Sequence, residues 1–137
     1  MAIGTDGPAS NNCLDFFREM FLATGLGKLR EKDAAAVPAE EVITMATVGG
    51  ARVMRLDDCD CLAAGKQADL IMIDLQQPNM QPIHNIVKNL VYSGSKQNVR
   101  MTMVAGRILY EDGRFDIGVE PDEVYARVDE LIRRDFQ

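Results

Sequence analysis

The sequence predicts a mixed α/β chain, and three observations carry that reading. Apolar residues recur at helical spacing in two stretches of the first 56 positions. After Asp57-Asp58-Cys59-Asp60 that periodicity gives way to short apolar runs of strand type. Near the end, Pro121-Asp122-Glu123 opens another helical pattern. The chain is accordingly divided into three units, 1–56, 57–118 and 119–137.

The front of the chain is a short apolar run, Ala2-Ile3, that stops at Gly4. Asp6 follows between small residues, and then comes a polar turn. The pattern describes a strand end that delivers one carboxylate to a sheet edge, followed by a chain reversal. Residues 1–3 are too short for an independent strand. Their backbone groups need partners, so this end is expected to be loose or paired with another chain. Asn11 or Asn12 can cap the first helix through its side-chain oxygen. Leu14, Phe17 and Phe21 form the inner face, with Met20 on the flank; Asp15 suits the helix dipole, and Arg18 lies outside the apolar face. Gly25 and Gly27 weaken this helix by ~1 kcal/mol each relative to Ala.

Residues 33–37 read as a connection. Pro38 fits the first position of the second helix, and Glu40 and Glu41 sit well near its N-terminus. Val42, Met45, Ala46, Gly49 and Val53 share one face. The pair Gly49-Gly50 implies close packing or a kink. Leu70 to Ile73 is a nearly continuous apolar strand, expected to be covered on both faces. Residues 76–82 are a loop, 83–87 a helical turn and 89–92 a strand. Strands over 99–105 and 107–110 meet at an Ala105-Gly106 turn, where Ala is a poor choice if φ is positive. Asp112-Gly113 is a better turn signal. The last helix starts at Pro121, turns Val124, Val128 and Leu131 inward, and carries Arg133 and Arg134 at its C-terminal end.

Composition narrows the classes of function. The hydrophobic fraction of 47% and the charged fraction of 26% suit a globular domain. Net charge is −6, and the basic residues are scattered apart from Arg133-Arg134. That argues against a nucleic-acid partner, because polyphosphate requires clustered Lys and Arg. No apolar run approaches the ~20 residues that span a bilayer, so no membrane is expected. Cys13, Cys59 and Cys61 are an odd set without regular spacing, and no leader pattern precedes them. The expected compartment is a reducing cytoplasm. Cys59-Asp60-Cys61 lacks the second cysteine pair of a zinc ribbon. His84, the only histidine, reads as a surface residue, and Gly65-Lys66 reads as a turn.

Asp6 has two readings. An Asp within Gly-Thr-Asp-Gly is a turn residue bonding its own backbone, or it is a functional carboxylate. A wider pattern bears on the choice. Gly4-Thr5-Asp6-Gly7-Pro8-Ala9-Ser10-Asn11-Asn12 resembles the end of the last barrel strand in the amidohydrolase superfamily. The nearest branch is the metal-dependent aminohydrolases that deaminate S-adenosylhomocysteine and methylthioadenosine, with chlorohydrolase relatives close by. Ala46-Thr47-Val48-Gly49-Gly50-Ala51-Arg52 is similar to that branch's helix after the last strand. Gly65 to Ile71 resembles its return to a small β domain, and Val91 to Gly94 and Val104 to Arg107 resemble its late strands. The four motifs occur in the family's order.

The resemblance implies a fold and an activity. The fold is α/β, the C-terminal part of a metal-dependent hydrolase β/α barrel: 1–56 hold its last strand and flanking helices. Residues 57–118 are a segment of a small β-sandwich, and 119–137 a C-terminal helix. The implied reaction is hydrolytic deamination of a purine nucleoside by water activated at a divalent metal, zinc in first place. Asp6 then corresponds to a metal ligand that also handles the proton and meets the substrate. Ser10 and Asn11 either touch substrate from the loop over the barrel mouth or serve capping and loop geometry. The family's remaining ligands are histidines on earlier strands, outside these 137 residues, so the isolated chain is expected to bind no metal and to be inactive. An alternative from another class is a non-catalytic structural or oligomerisation module derived from an amidohydrolase. In it a homo-oligomer buries the faces carrying Leu14, Phe17, Phe21, Val42 and Met45.

Overall fold

The computed structural model describes residues 1–136; Gln137, the last residue of the third unit, lies outside them. A layer of helices packs beside a four-stranded antiparallel sheet. The helices are α1 (Phe16–Glu31), α2 (Ala39–Ala46), α3 (Val48–Met54) and α4 (Ile86–Ser93). The strands are β1 (Leu70–Ile73), β2 (Val99–Val104), β3 (Arg107–Glu111) and β4 (Arg114–Phe115), in that spatial order. A final helix, α5 (Pro121–Phe136), follows. Phe17, Met20, Ala39, Val42 and Val91 form the core, where α1, α2 and α4 meet. Ile73 and Val99 pack against that cluster and join the sheet to the helices.

The chain's start forms no strand with any other described residue, in keeping with a run too short to stand alone. Residues 1–7 carry no strand, and Ile3 N–H reaches only the Met45 carbonyl, at 3.4 Å. A strand is defined by its ladder, and no described segment lies where one could form. The first cap differs from the expected one. Leu14 takes a left-handed conformation (φ 45°), and Asp15, extended at φ −106°, is the N-cap of α1. Neither Asn11 nor Asn12 does this. With the helix starting at Phe16, its inner face is Phe17, Met20 and Thr24, while Leu14 and Phe21 are 46% and 51% exposed. Phe17, Val42 and Met45 are buried within the chain's own helical layer.

The helix tolerates Gly27 for a packing reason. A Cβ there would stand 2.5 Å from Val37 Cγ2, where the connection folds back over α1. Thr24 fixes the same return by donating its hydroxyl to the Val37 carbonyl at 2.7 Å. Pro38 is the N-cap of α2 and not its first helical residue. The second helical pattern is broken at Thr47 (φ −119°, ψ −94°), so Val53, now on α3, is 69% exposed. Close packing at Gly49 is observed, since a Cβ there would lie 2.3 Å from the Met1 carbonyl oxygen.

Two expectations in the middle of the chain fail. Ile71 and Met72 on β1 project to opposite faces of the sheet and are both exposed, so neither face is covered at these positions; β1 also forms the sheet edge, paired with β2 alone. Asn89 to Tyr92 is helical and not a strand. Asn85 caps α4, its side chain accepting from Lys88 N–H at 2.9 Å, and Val87, Leu90 and Val91 then face the core together. Four residues were too short a window to separate the two periods.

Both hairpins fall at the expected turns. Ala105 and Gly106 have φ of 51° and 77°, and Asp112 and Gly113 have 47° and 86°. Two consecutive positive φ values match the twist of the flanking strands. The strain at Ala105 is offset locally, because its N–H donates to the Asp69 carboxylate and Gly106 N–H to the Ala68 carbonyl. Helix α5 starts at Pro121 as expected, but none of its residues is buried, and Val124 and Val128 are open to solvent.

The sheet is fastened by carboxylates, which sets a pH dependence. The Ala105 N–H lowers Asp69, the Gln76 N–H lowers Asp74, and the Arg100 guanidinium lowers Asp112, each below the usual carboxylate value. A depressed folded-state pKa stabilises the fold above the unfolded value and loses that effect as pH falls through the folded one. Thermal unfolding followed by circular dichroism should therefore show these carboxylates adding nothing to pH dependence between about pH 5 and 8. Below about pH 4 the melting temperature should drop.

Candidate functional site

Asp6 sits at the corner where the front segment turns toward α1. Its φ is 57°, and its Oδ1 accepts the Gly7 N–H at 2.8 Å. Asp is among the few residues that adopt this left-handed conformation readily, because its short side chain can bond the local backbone. The side chain is exposed. The Ser10 hydroxyl and then the Gly7 N–H hold the carboxyl below its ordinary value. Asp6 is therefore ionised at neutral pH and available as an anionic ligand or a proton acceptor.

The loop after Asp6 is ordered by its own bonds. The Gly7 carbonyl accepts from Ser10 N–H (3.1 Å), Asn11 N–H (2.9 Å) and the Ser10 hydroxyl (3.1 Å). Asn11 donates its amide to Glu19 Oε1 at 2.7 Å and accepts from Cys13 N–H at 3.1 Å. Ser10 and Asn11 thus serve loop geometry, and both lie within a few residues of Asp6.

The sequence marks Asp15 only as an acid that suits the helix dipole, and it marks Lys96 not at all. Asp15 is 7% exposed, with Oδ1 on the Phe17 N–H at 3.1 Å and Oδ2 on the Lys96 N–H at 3.3 Å. The signal for the cap was present as an acid before an apolar helical run. The second partner lies 81 residues away, and no local pattern reveals it.

Other chemistry-bearing residues stand apart. Among the described residues no three His, Cys, Asp or Glu groups gather where a metal could sit. His84 is exposed in the loop before α4. Cys13, Cys59 and Cys61 are free, and burial followed by Asp69 raises the Cys59 thiol, which disfavours the thiolate a metal needs. Lys66 ties its own loop, donating to Asp60 Oδ1 at 2.6 Å and to the Asp57 carbonyl. A groove of about 780 Å³ runs between Gly4 and Thr5, the α2–α3 bend and Cys59 to Leu62; Asp6 does not line it. No described helix is long and apolar enough to cross a membrane.

Comparison with known proteins supplies the context that this geometry lacks. The model of the amidohydrolase family matches residues 1–109. A 5-methylthioadenosine/S-adenosylhomocysteine deaminase of Desulfovibrio desulfuricans is 50% identical over 115 residues, which are 84% of this chain and 26% of that protein. The protein of the same name from Syntrophobacter fumaroxidans is 41% identical over 134 residues, 97% of this chain and 30% of its own. A crystal structure of an adenosine deaminase from Xanthomonas campestris with bound zinc superposes with a TM-score of 0.92 at 35% identity, covering 97% of this chain and 30% of that one. The chain thus spans between a quarter and a third of the length of these relatives.

Proposed function

The chain belongs to the amidohydrolase family, and from that premise we propose that it is the C-terminal portion of a metal-dependent hydrolase that deaminates purine nucleosides of the S-adenosylhomocysteine and methylthioadenosine type. The observation that carries the proposal is Asp6: an ionised, exposed carboxylate on a well-ordered corner, in a chain half identical to a protein named for that reaction. In the reaction water adds to the purine carbon bearing the amino group, a C–O bond forms, the C–N bond breaks, and ammonia leaves.

A hard carboxylate oxygen suits a divalent cation, and Asp6 fits as one ligand of several. A single carboxylate does not hold zinc, which takes three or four N, O or S donors. When bound, the metal supplies a water of lowered pKa. Asp6 then has two tasks, one oxygen for the metal and a relay of the water's proton to the departing amine. The left-handed corner leaves the carboxylate exposed, and the Ser10 hydroxyl and Gly7 N–H favour its ionised form. Ser10 and Asn11 hold that corner, and a direct contact of either with substrate is part of the proposal.

In this reading residues 1–56 form the end of a β/α barrel, 57–118 part of a β-sandwich and 119–137 a terminal helix. Segment 1–3 becomes a strand when neighbouring strands pair with it. The three free thiols suit a reducing cytoplasm. No turnover is expected from the 137 residues alone, whose only histidine is the remote His84.

The test is a graft. This chain replaces the matching C-terminal segment of the Desulfovibrio desulfuricans deaminase, and deamination of methylthioadenosine and of S-adenosylhomocysteine is followed by ultraviolet absorbance. The purified chain with added zinc should convert nothing, and the graft should convert substrate. A folded graft that is inert toward both nucleosides would sink the proposal.

A further inference from the structure

We infer that Asp15 is a positioning residue, whose buried carboxylate locks the loop that carries Asp6 onto the turn before β2. The inference takes its functional meaning from the reading of Asp6 given above.

The two oxygens of Asp15 do different work. Oδ1 caps α1 through the Phe17 N–H, which alone would be an ordinary helix start. Oδ2 takes the Lys96 N–H from a distant turn, at 3.3 Å. Lys96 closes the link from the other side, donating its ammonium to the Cys13 carbonyl at 3.2 Å. One residue of the second unit therefore holds both Cys13 and Asp15.

That residue sits on a firm support. Lys96 opens a short 3-10 turn, Lys96–Asn98, whose Asn98 is 1% exposed. Asn98 and Asn79 exchange amide hydrogen bonds at 2.8 and 3.1 Å, and Asn98 Oδ1 also accepts the Ser95 N–H at 2.9 Å. On the loop side the bonds run without a gap toward Asp6. Cys13 N–H donates to Asn11, Asn11 N–H to the Gly7 carbonyl, and Gly7 N–H to the Asp6 carboxylate. A buried carboxylate satisfied by two backbone donors is costly to disturb. Loss of the Lys96 partner frees the far end of this chain of bonds while the helix cap remains.

Two variants separate the bridge from the cap. In Asp15→Ser the hydroxyl still caps α1 but is too short to reach Lys96. Lys96→Pro removes the bridging N–H, and the ammonium with it, at the first position of its turn, where proline is tolerated, and leaves Asp15 intact. Lys96→Met removes only the ammonium contact. Site-resolved amide hydrogen exchange is measured on the full chain. In Asp15→Ser and Lys96→Pro alike, the Asn11 and Cys13 amides should exchange at least tenfold faster, with α1 and α4 amides unchanged; Lys96→Met should change them less. Unaltered loop exchange in Lys96→Pro would overturn the inference, whatever Asp15→Ser does, because the carboxylate would then be a cap only. If Asp15→Ser fails to fold, Lys96→Pro still decides. Exchange reads the loop and not turnover, so this result and the graft result can fail independently.

Discussion

Asp6→Ala in the grafted deaminase should lower turnover by about 10²–10⁴-fold, the range for removing a positioned proton-transfer group. The loss has two sources. Alanine removes a ligand oxygen, and it removes the acceptor that carries the water's proton to the amine. Asp6→Asn separates them, since the amide keeps an oxygen but cannot take the proton. It should recover part of the metal and little of the rate. The fold should not suffer. Asp6 is exposed, and the groups that bond it, Thr5, Gly7 and Ser10, all lie within four residues of it. Equal rates for the wild-type graft and Asp6→Ala, measured by ultraviolet absorbance under saturating methylthioadenosine, would remove Asp6 from the chemistry.

Phe17→Ala should destabilise the 137-residue chain by about 3–5 kcal/mol, the cost of emptying a buried aromatic site. Phe17 is 5% exposed and lies where α1 meets α2 and α4. Its ring also lies so close to Gly94 that a Cβ there would stand 2.6 Å from Phe17 Cδ1. Packing this tight leaves little room for collapse into the cavity. Phe21→Ala, one turn on but 51% exposed, should cost under about 1 kcal/mol. Urea unfolding of the two variants checks the pair. Similar costs would mean that the inner face of α1 was assigned wrongly.

The contrast between those phenylalanines shows where the sequence was legible. Helical spacing located α1 and α2, and Pro121 with its acids located α5. Turn chemistry located the Asp112-Gly113 hairpin; at Ala105-Gly106 the glycine and the flanking apolar runs marked the turn, although Ala105 takes a φ of 51° that its side chain disfavours. The phase of α1 was not legible. Leu14 has the right spacing to join Phe17 and Phe21, yet its left-handed φ puts it outside the helix. The nature of α4 was hidden for a related reason, since Asn89 to Tyr92 is apolar enough for either period and the deciding residue is the Asn85 cap.

Of the candidate site the sequence offers Asp6, through small neighbours and a turn; the structure places it on a left-handed corner with an exposed side chain, and its chemical role belongs to the proposal. Asp15 was noticed only for its favourable charge near a helix start. Its bond to Lys96 depends on the fold of residues 57–98, which no local spacing encodes. Helix α5 was placed correctly, but its apolar stripe finds no described neighbour to bury it. The amphipathic pattern foretells burial and not the surface that supplies it.

Zinc content tests the role of Asp6 most directly. The graft and its Asp6→Ala variant are purified together, dialysed against the same trace zinc and analysed for metal per folded chain by atomic absorption. Near-stoichiometric zinc in the graft, and a large loss in the variant at unchanged circular dichroism, is the expected result. Full zinc in both would contradict the assignment of Asp6 as a ligand.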